Sequence, residues 1–550
     1  MKVPGGVRGV LGSSAGASGG QDSRGCREGQ DLCPGRPVLR VLRAHALSCR
    51  RTGVLSSQSP PWATAPQVVT GAPGGAHTED VDDWFGGSGY WLSRLVFQRG
   101  LAVVYLVAFV GAALQFRPLI GERGMLPVPR FLERVPWRRA PTLFRLRYSD
   151  RVFAGCAWGG AVVAAGLLAG VDGWVPLWGA MLLWLVPWVL YLSIVNVGQA
   201  WYGFGWESLL LEVGFLAVFL GNDEVAPPVL VLFLLRWVLF RLEFGAGLIK
   251  MRGDACWRRL TCLYFHHETQ PMPGPLSWFF HRLPGPLHRV EAAANHVTQL
   301  VVPFLLFAPQ PVASAAAALM IVTQSWLILS GNFAWLNWLT VVLAASVLDL
   351  SSVRTPPGLP AAPLWYGLLV LALTCGVAVL SYRPVRNLLS RRQSMNRSYD
   401  VLHLVNTYGA FGTVGRVRQE IVVEGTADAA PGPASVWLAY EFRGKPGDPG
   451  RLPRQFAPYH LRLDWMMWFA ALSPAYARSW FEPFVERLLA GDRDTLRLLR
   501  GSPFPADAPP AYVRARVFRY RYTTWRELRA SGAWWERTYV REFLPPTRLR

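Results

Sequence analysis

The chain has 550 residues, 51% of them hydrophobic, with 25 Trp and a formal net charge of +21. Soluble domains rarely carry so much Trp, and several runs approach the ~20 apolar residues that a spanning helix needs. This excludes an ordinary soluble protein and assigns the positive charge to loops flanking membrane spans rather than to nucleic-acid binding.

Residues 1–88 are rich in Gly, Ser, Ala, Pro and Arg without an apolar period. Such a segment cannot bury enough surface to offset its ordering entropy, so it reads as a disordered low-complexity head. It also lacks the hydrophobic run of a signal peptide. The reading continues with a transmembrane helical domain over residues 89–398 and a soluble domain over 399–550.

The expected spans begin with Leu95–Phe116. A loop from Arg117 to Arg151 follows, with nine Arg against Glu122, Glu133 and Asp150. The next spans are Val152–Val171, Trp174–Val195 and the short Ser208–Gly221, which contains Glu212. Trp201, Tyr202 and Trp206 before it read as an interfacial aromatic belt.

The stretch from Val225 to Pro273 organises the rest. It starts as a lipid-grade apolar run and then gathers Arg236, Arg241, Glu243 and Lys250. In hydrocarbon each such group costs about 2.5–3.5 kcal/mol, so these side chains are expected to face protein or water. Arg236, Glu243 and Lys250 lie seven apart, which at ~3.6 residues per turn places them on one helix face. The competing reading is that Arg236 and Lys250 snorkel to the two interfaces.

Trp278, Phe279 and Phe280 read as a segment lying in the interface. Spans at Ala294–Phe307, Val312–Leu329, Phe333–Leu348 and Leu364–Tyr382 bring the count to about eight or nine. Five Arg and no acid occur between Arg383 and Arg397. Beyond His403 the chain alternates as strands do in NTYGAFGTVGRVRQEIVVEGT, SVWLAYEF and AYVRARVFRYRYTT, with helical periods in LRLDWMMWFAAL and WFEPFVERLLAG. The fold class is therefore a polytopic α-helical membrane bundle followed by a small soluble α+β, β-rich domain. The glycines of Gly409–Gly415 read as a hairpin, because no helix follows them as in a phosphate loop.

Candidate site residues form a polar pocket around the charged stripe: Arg236, Glu243, Lys250, Asp254, His266, His267, Glu268 and His296. Glu291 lies near the start of a span beside His296. His266-His267-Glu268 is not HExxH, and adjacent helical residues do not face each other, so no metal is expected there. No nucleophile elbow, Ser-His-Asp order or phosphate loop is present, so no catalytic residue and no cofactor are assigned. Cys256 and Cys262 fit no zinc signature; they can form a disulfide if their loop faces an oxidising compartment.

LVFQRGLAVVYLVAFVGAALQFRPLIGERGMLPVP, GFGWESLLLEVGFLAVFL, RWVLFRLEFGAGLIKMRGDACWRRLTCLYFHHETQPMPGPLSWFFHRLP, LSGNFAWLNWLTVVL and APYHLRLDWMMWFAAL resemble the lipase maturation factor family over everything from Tyr90 onward. The resemblance implies a multi-pass membrane protein that helps secreted dimeric lipases reach their active fold, with lipids and a lipase-like client as partners and no catalytic residues. The alternative is a membrane enzyme of the vitamin K-dependent carboxylase-like superfamily using the polar pocket. Animal members reside in the endoplasmic reticulum; the compact chain and the GC-rich coding bias implied by abundant Arg, Ala, Gly and Pro suggest a bacterial member, in the cell membrane. The basic loops place the soluble domain in the cytoplasm by the positive-inside rule, whereas the resemblance places it on the opposite, luminal side.

Overall fold

The computed structural model describes residues 85–354 and 358–549. The low-complexity head expected at residues 1–88 lies, apart from its last four residues, outside the described part. Phe85 is buried, its ring 6.0 Å from that of Tyr366.

The amino-terminal part is helical: α1 (Trp91–Ile120), α2 (Val128–Arg134), α3 (Asp150–Ala169), α4 (Leu177–Val197), α5 (Gly205–Ala217) and α6 (Val229–Arg252). Short helices α7 (Ala255–Arg258), α8 (Leu263–Thr269) and α9 (Ser277–His281) form the connection to α10 (Gly285–Leu300) and α11 (Val302–Leu305). Then come α12 (Val312–Ser330), α13 (Leu336–Ala345) and α14 (Leu364–Leu389). Local chemistry sets the ends. Ser149 caps α3 by accepting from the Val152 amide at 3.2 Å, and Gly170, at φ +94°, closes it in the left-handed region that favours glycine. Aromatic rings pin helix to helix, as where Phe116 of α1 stacks on Phe153 of α3 with centroids 4.4 Å apart.

Among the described residues, five helices are long and apolar enough to cross a membrane: residues 88–120, α3, α4, α12 and α14. The expected eight or nine spans are thus not all met on length and composition. The remaining segments fail for physical reasons. Helices α5, α10 and α13 have 13, 16 and 10 residues, and α6 carries five charged residues, Arg236, Arg241, Glu243, Lys250 and Arg252.

One end of the bundle gathers the start of α1 and several connections. Arg94 donates to the Val225 carbonyl at 2.6 Å, Arg99 pairs with Asp172 at 2.7 Å, and Tyr366 donates to Phe219 O at 2.9 Å. The opposite end carries the carboxy-terminal part.

That part holds β1 (Arg397–Ser398), β2 (Asn406–Thr407), β3 (Arg418–Thr426), β4 (Leu438–Ala439), α15 (Arg462–Leu472), α16 (Phe481–Leu489), α17 (Arg493–Leu496), β5 (Tyr512–Tyr522), α18 (Trp525–Ser531) and β6 (Trp535–Thr547). β1 pairs with β2, and a four-stranded antiparallel sheet runs β4-β3-β5-β6. In β5 the apolar residues Val513, Ala515 and Val517 are buried, while Arg514, Arg516, Arg519 and Arg521 are less covered, as the alternation of a strand requires. Inside the sheet Glu420 is buried between Arg418 at 2.6 Å and Lys445 at 2.7 Å.

Three expectations are corrected. Residues 409–415 form an irregular loop over the end of α6, not a hairpin; the Asp254 amide donates to Gly412 O at 2.8 Å, taking the backbone that a ladder would need. Trp201, Tyr202 and Trp206 are buried rather than interfacial, because the carboxy-terminal part sits over them. Trp278 is likewise fully buried, its indole donating to Thr523 O at 2.9 Å.

Candidate functional site

The stripe on α6 turns inward. Arg236 donates to the Tyr90 hydroxyl at 2.7 Å and to Leu306 O at 3.3 Å. Glu243 is 1% exposed and accepts from Gln324 at 2.6 Å and from Gln299 at 3.1 Å. Lys250 donates to Gln299 Oε1 at 2.8 Å and to Asn295 at 2.7 Å, with its Nζ 4.9 Å from the Trp257 ring centroid. Gln299 therefore mediates between ammonium and carboxylate, accepting from one and donating to the other. Asn337 extends the chain by donating to Gln324 Oε1 at 2.7 Å. The network Lys250–Gln299–Glu243–Gln324–Asn337 links α6, α10, α12 and α13. Snorkelling fails for Lys250, which is buried, because its ammonium has two amide acceptors inside the bundle.

Arg241 faces the other way. It pairs with Glu212 of α5 and donates to Asn406 O at 2.6 Å. Glu212 also accepts from the Asn406 amide at 3.0 Å and from the Tyr408 hydroxyl at 2.6 Å. A charge pair inside the bundle thus serves as the socket for the Asn-Thr-Tyr-Gly segment that begins with β2. Gly245 admits it, since a Cβ there would strike Tyr408 O.

A second socket lies at the start of α5. Arg462 of α15 donates to Glu207 at 2.7 Å and to Trp201 O at 2.7 Å, its guanidinium 3.5 Å over the Tyr202 ring. Tyr191 donates to the same carboxylate. His460 Nδ1 lies 3.5 Å from Glu207 and 3.4 Å from the Trp206 indole nitrogen that donates to it. Gln115 of α1 completes the clamp, donating to His460 O at 2.8 Å and accepting from the Arg462 amide at 3.1 Å. Glu207 and Arg462 are at most 1% exposed.

Burial pushes the His460 imidazole down to about 4 and that of His281, in α9, to about 3. Unfolding returns each to an ordinary ~6.5. With the folded values depressed, the stability they contribute is complete above pH ~6.5 and is lost as pH falls toward the folded values. The melting temperature of detergent-solubilised protein should therefore drop between about pH 7 and about pH 5. His460→Gln should flatten that decline, measured by differential scanning fluorimetry; an unchanged profile would place the acid sensitivity elsewhere.

The other expected pocket residues go elsewhere. Asp254 caps α7, accepting from the Cys256 amide at 3.0 Å, and is gripped by Arg416 at 2.9 and 3.0 Å. Cys256 and Cys262 form a disulfide, and Trp257 between them donates to Phe411 O at 2.7 Å. His296 contacts Trp257 O at 3.0 Å. His266 is buried against Phe411 and Phe333, with ring centroids 5.2 and 6.4 Å away. Glu268 accepts from the Tyr522 amide at 2.9 Å. His267 faces His288 and Glu291 of α10, while its ring keeps an edge contact with His266, centroids 5.6 Å apart.

One pocket is therefore replaced by an inner network, two sockets and a disulfide-stapled loop. Sequence reasoning missed Glu207, His460 and Arg462, whose partners lie about 250 residues away. The available signal was Glu207 and Glu212 in one short apolar helix, two carboxylates that hydrocarbon would not tolerate unpaired. Cavities of about 350 and 290 Å³ lie away from Glu243 and Lys250: the first between Arg117–Arg123 and Arg487–Asp494, the second between α5 and α14.

Residues 92–355 match the family model described as the lipase maturation factor transmembrane domain, and residues 404–545 match that of the lipase maturation factor C-terminal domain. Lipase maturation factor 1 of Mus musculus is 38% identical, covering 94% of this chain and 96% of the relative. Lipase maturation factor 1 of Bos taurus is 41% identical, over 83% and 89%, and lipase maturation factor 2 of Homo sapiens 29% identical, over 84% and 83%. No solved structure matches the chain.

Proposed function

The chain belongs to the lipase maturation factor family, and from that premise we propose that it assists secreted lipases in reaching their active fold. The observation that carries this reading is the full-length match to lipase maturation factor 1, spanning helices and carboxy-terminal part alike. The chain is an integral membrane protein; its client is a lipase, and no cofactor or catalytic group enters the reading. The carboxylase-like alternative has no support: Glu243 and Lys250 bind amides on neighbouring helices, and the relatives matched are maturation factors. Deleting the gene should lower the specific activity of secreted lipase, measured as activity per unit of lipase antigen, by several-fold. Unchanged specific activity would refute the reading.

Domain boundaries at 89–398 and 399–550 enclose the two family matches, residues 92–355 and 404–545; α14, which lies between the matches, is assigned to the membrane part on its apolar length. Nine crossings are supported by the alternation of helix ends. The α3–α4 turn, the start of α6 and the start of α14 meet at one end of the bundle. The ends of α1, α6 and α12 meet the carboxy-terminal part at the other, through Gln115, Asp254 and Asn332. The short α5, α10–α11 and α13 run between these ends, α10–α11 with an exposed apolar face that includes Val290, Val297 and Phe304.

The carboxy-terminal part faces the oxidising side of that membrane, the lumen of the endoplasmic reticulum or the exterior of a bacterial cell. The Cys256–Cys262 loop touches Phe411 and Arg416, so disulfide and domain share one side, and disulfides form in oxidising compartments. The basic loops point the other way by charge. Some of their arginines, however, are held by protein, such as Arg282 on Tyr522 O and Thr523 O at 2.7 and 2.6 Å. An Asn-Gly-Ser acceptor placed at Gly432, where a Cβ meets open space, should be glycosylated when the protein is translated into microsomes. Absence of the sugar, with a luminal control modified, would reverse the orientation.

A further inference from the structure

We propose that His267, His288 and Glu291 form a binding site for a divalent transition-metal ion of the zinc class. His267 projects from α8, while His288 and Glu291 stand three apart on one face of α10. Glu291 Oε2 lies 3.8 Å from His267 Nε2 and 3.8 Å from His288 Nδ1, and the three ligand atoms all fall within 4.8 Å of one another. These separations are too long for hydrogen bonds, whose heavy atoms sit ~2.7–3.2 Å apart. They suit a shared ion. Ligand bonds of ~2.0–2.2 Å in tetrahedral geometry put ligand atoms about 3.3–3.5 Å apart, so a contraction of a few tenths of an ångström at each Glu291 contact and of up to about 1.5 Å between the two rings closes the set.

The polar atoms want such a partner. Both histidines are at most 2% exposed, and His267 Nε2, His288 Nδ1 and Glu291 Oε2 have no hydrogen-bond partner among the described residues. Burying such atoms unpaired is costly. The second carboxylate oxygen of Glu291 is held by the Trp326 indole at 2.8 Å, which fixes the orientation in which Oε2 points at the two rings. The rings lie 5.7 Å apart, with Phe280 flanking His267 at 5.5 Å. Two histidines and one carboxylate leave a fourth position for water. An ion here would tie α8, whose Glu268 carries the Tyr522 amide of β5, to α10 of the bundle.

The full chain, purified in detergent without a polyhistidine tag, is equilibrated with buffered Zn(II) and assayed by mass spectrometry of bound metal, and with Co(II) by visible absorbance. One equivalent of zinc and the d–d bands of tetrahedral cobalt are expected. His288→Asn and Glu291→Gln should each reduce zinc occupancy at least tenfold, while His281→Gln, a neighbouring histidine outside the set, should leave it unchanged. Two variants with different ligands removed guard against a folding defect in either, because each is accepted only if its elution profile matches the parent. No zinc on the parent chain, or equal zinc on the parent and on both ligand variants, would overturn the site.

Discussion

Arg462→Met is expected to abolish lipase maturation while leaving the chain in the membrane. The substitution leaves Glu207 buried with Tyr191 alone as a strong donor, and removing one partner of a buried pair costs about 3–5 kcal/mol. It also strips Trp201 O of its donor and Tyr202 of its cation. The transmembrane core, built from separate contacts, should persist, so the defect should appear as release of the carboxy-terminal part. Limited proteolysis should cut the variant quickly near residues 390–400, where parent protein resists. Arg462→Lys should be intermediate, because an ammonium restores charge but not the planar fork that reaches Glu207 and Trp201 together. A variant that resists protease like the parent and still activates lipase would mean the socket is not what holds the domain.

Lys250→Met is the second large effect. It orphans Gln299 Oε1 and Asn295 Oδ1 and removes the cation that, through Gln299, faces Glu243. A loss of about 3–5 kcal/mol is expected, again as the cost of a charge left without compensation. Adding Glu243→Gln should recover part of it, because neutralising the carboxylate removes the stranded charge while keeping polar contact with Gln299 or Gln324. The double-mutant cycle, read from thermal unfolding in detergent, should therefore give clear coupling between two residues that do not touch. Strict additivity would show that Gln299 does not transmit between them.

The charged stripe was legible because hydrocarbon is unforgiving: three ionisable groups seven apart on an apolar helix must face inward. What they face was not legible. Gln299, Gln324 and Asn337 are amides on other helices, and nothing local distinguishes an amide that bridges charges from one that lines a loop. Trp201, Tyr202 and Trp206 misled for a related reason. Aromatic residues beside a span suit the membrane interface, but equally suit a protein surface placed there, and only the docking of His460 and Arg462 separates the two. The eight or nine spans were counted from hydropathy, which registers α1, α3, α4, α12 and α14 cleanly; α5 and α13 are short because protein surrounds them. The final strand β6 went unseen: it is exposed on most of its length and carries no apolar alternation, so its pairing with β5 alone defines it.

The most direct measurement places this chain in secretory cells that lack their own maturation factor and express a dimeric secreted lipase. Lipase activity per unit of secreted antigen should rise to the level of cells with an intact factor, and Arg462→Met, matched for membrane abundance, should leave it at background. Inactive lipase in the presence of abundant, correctly inserted parent protein would contradict the account.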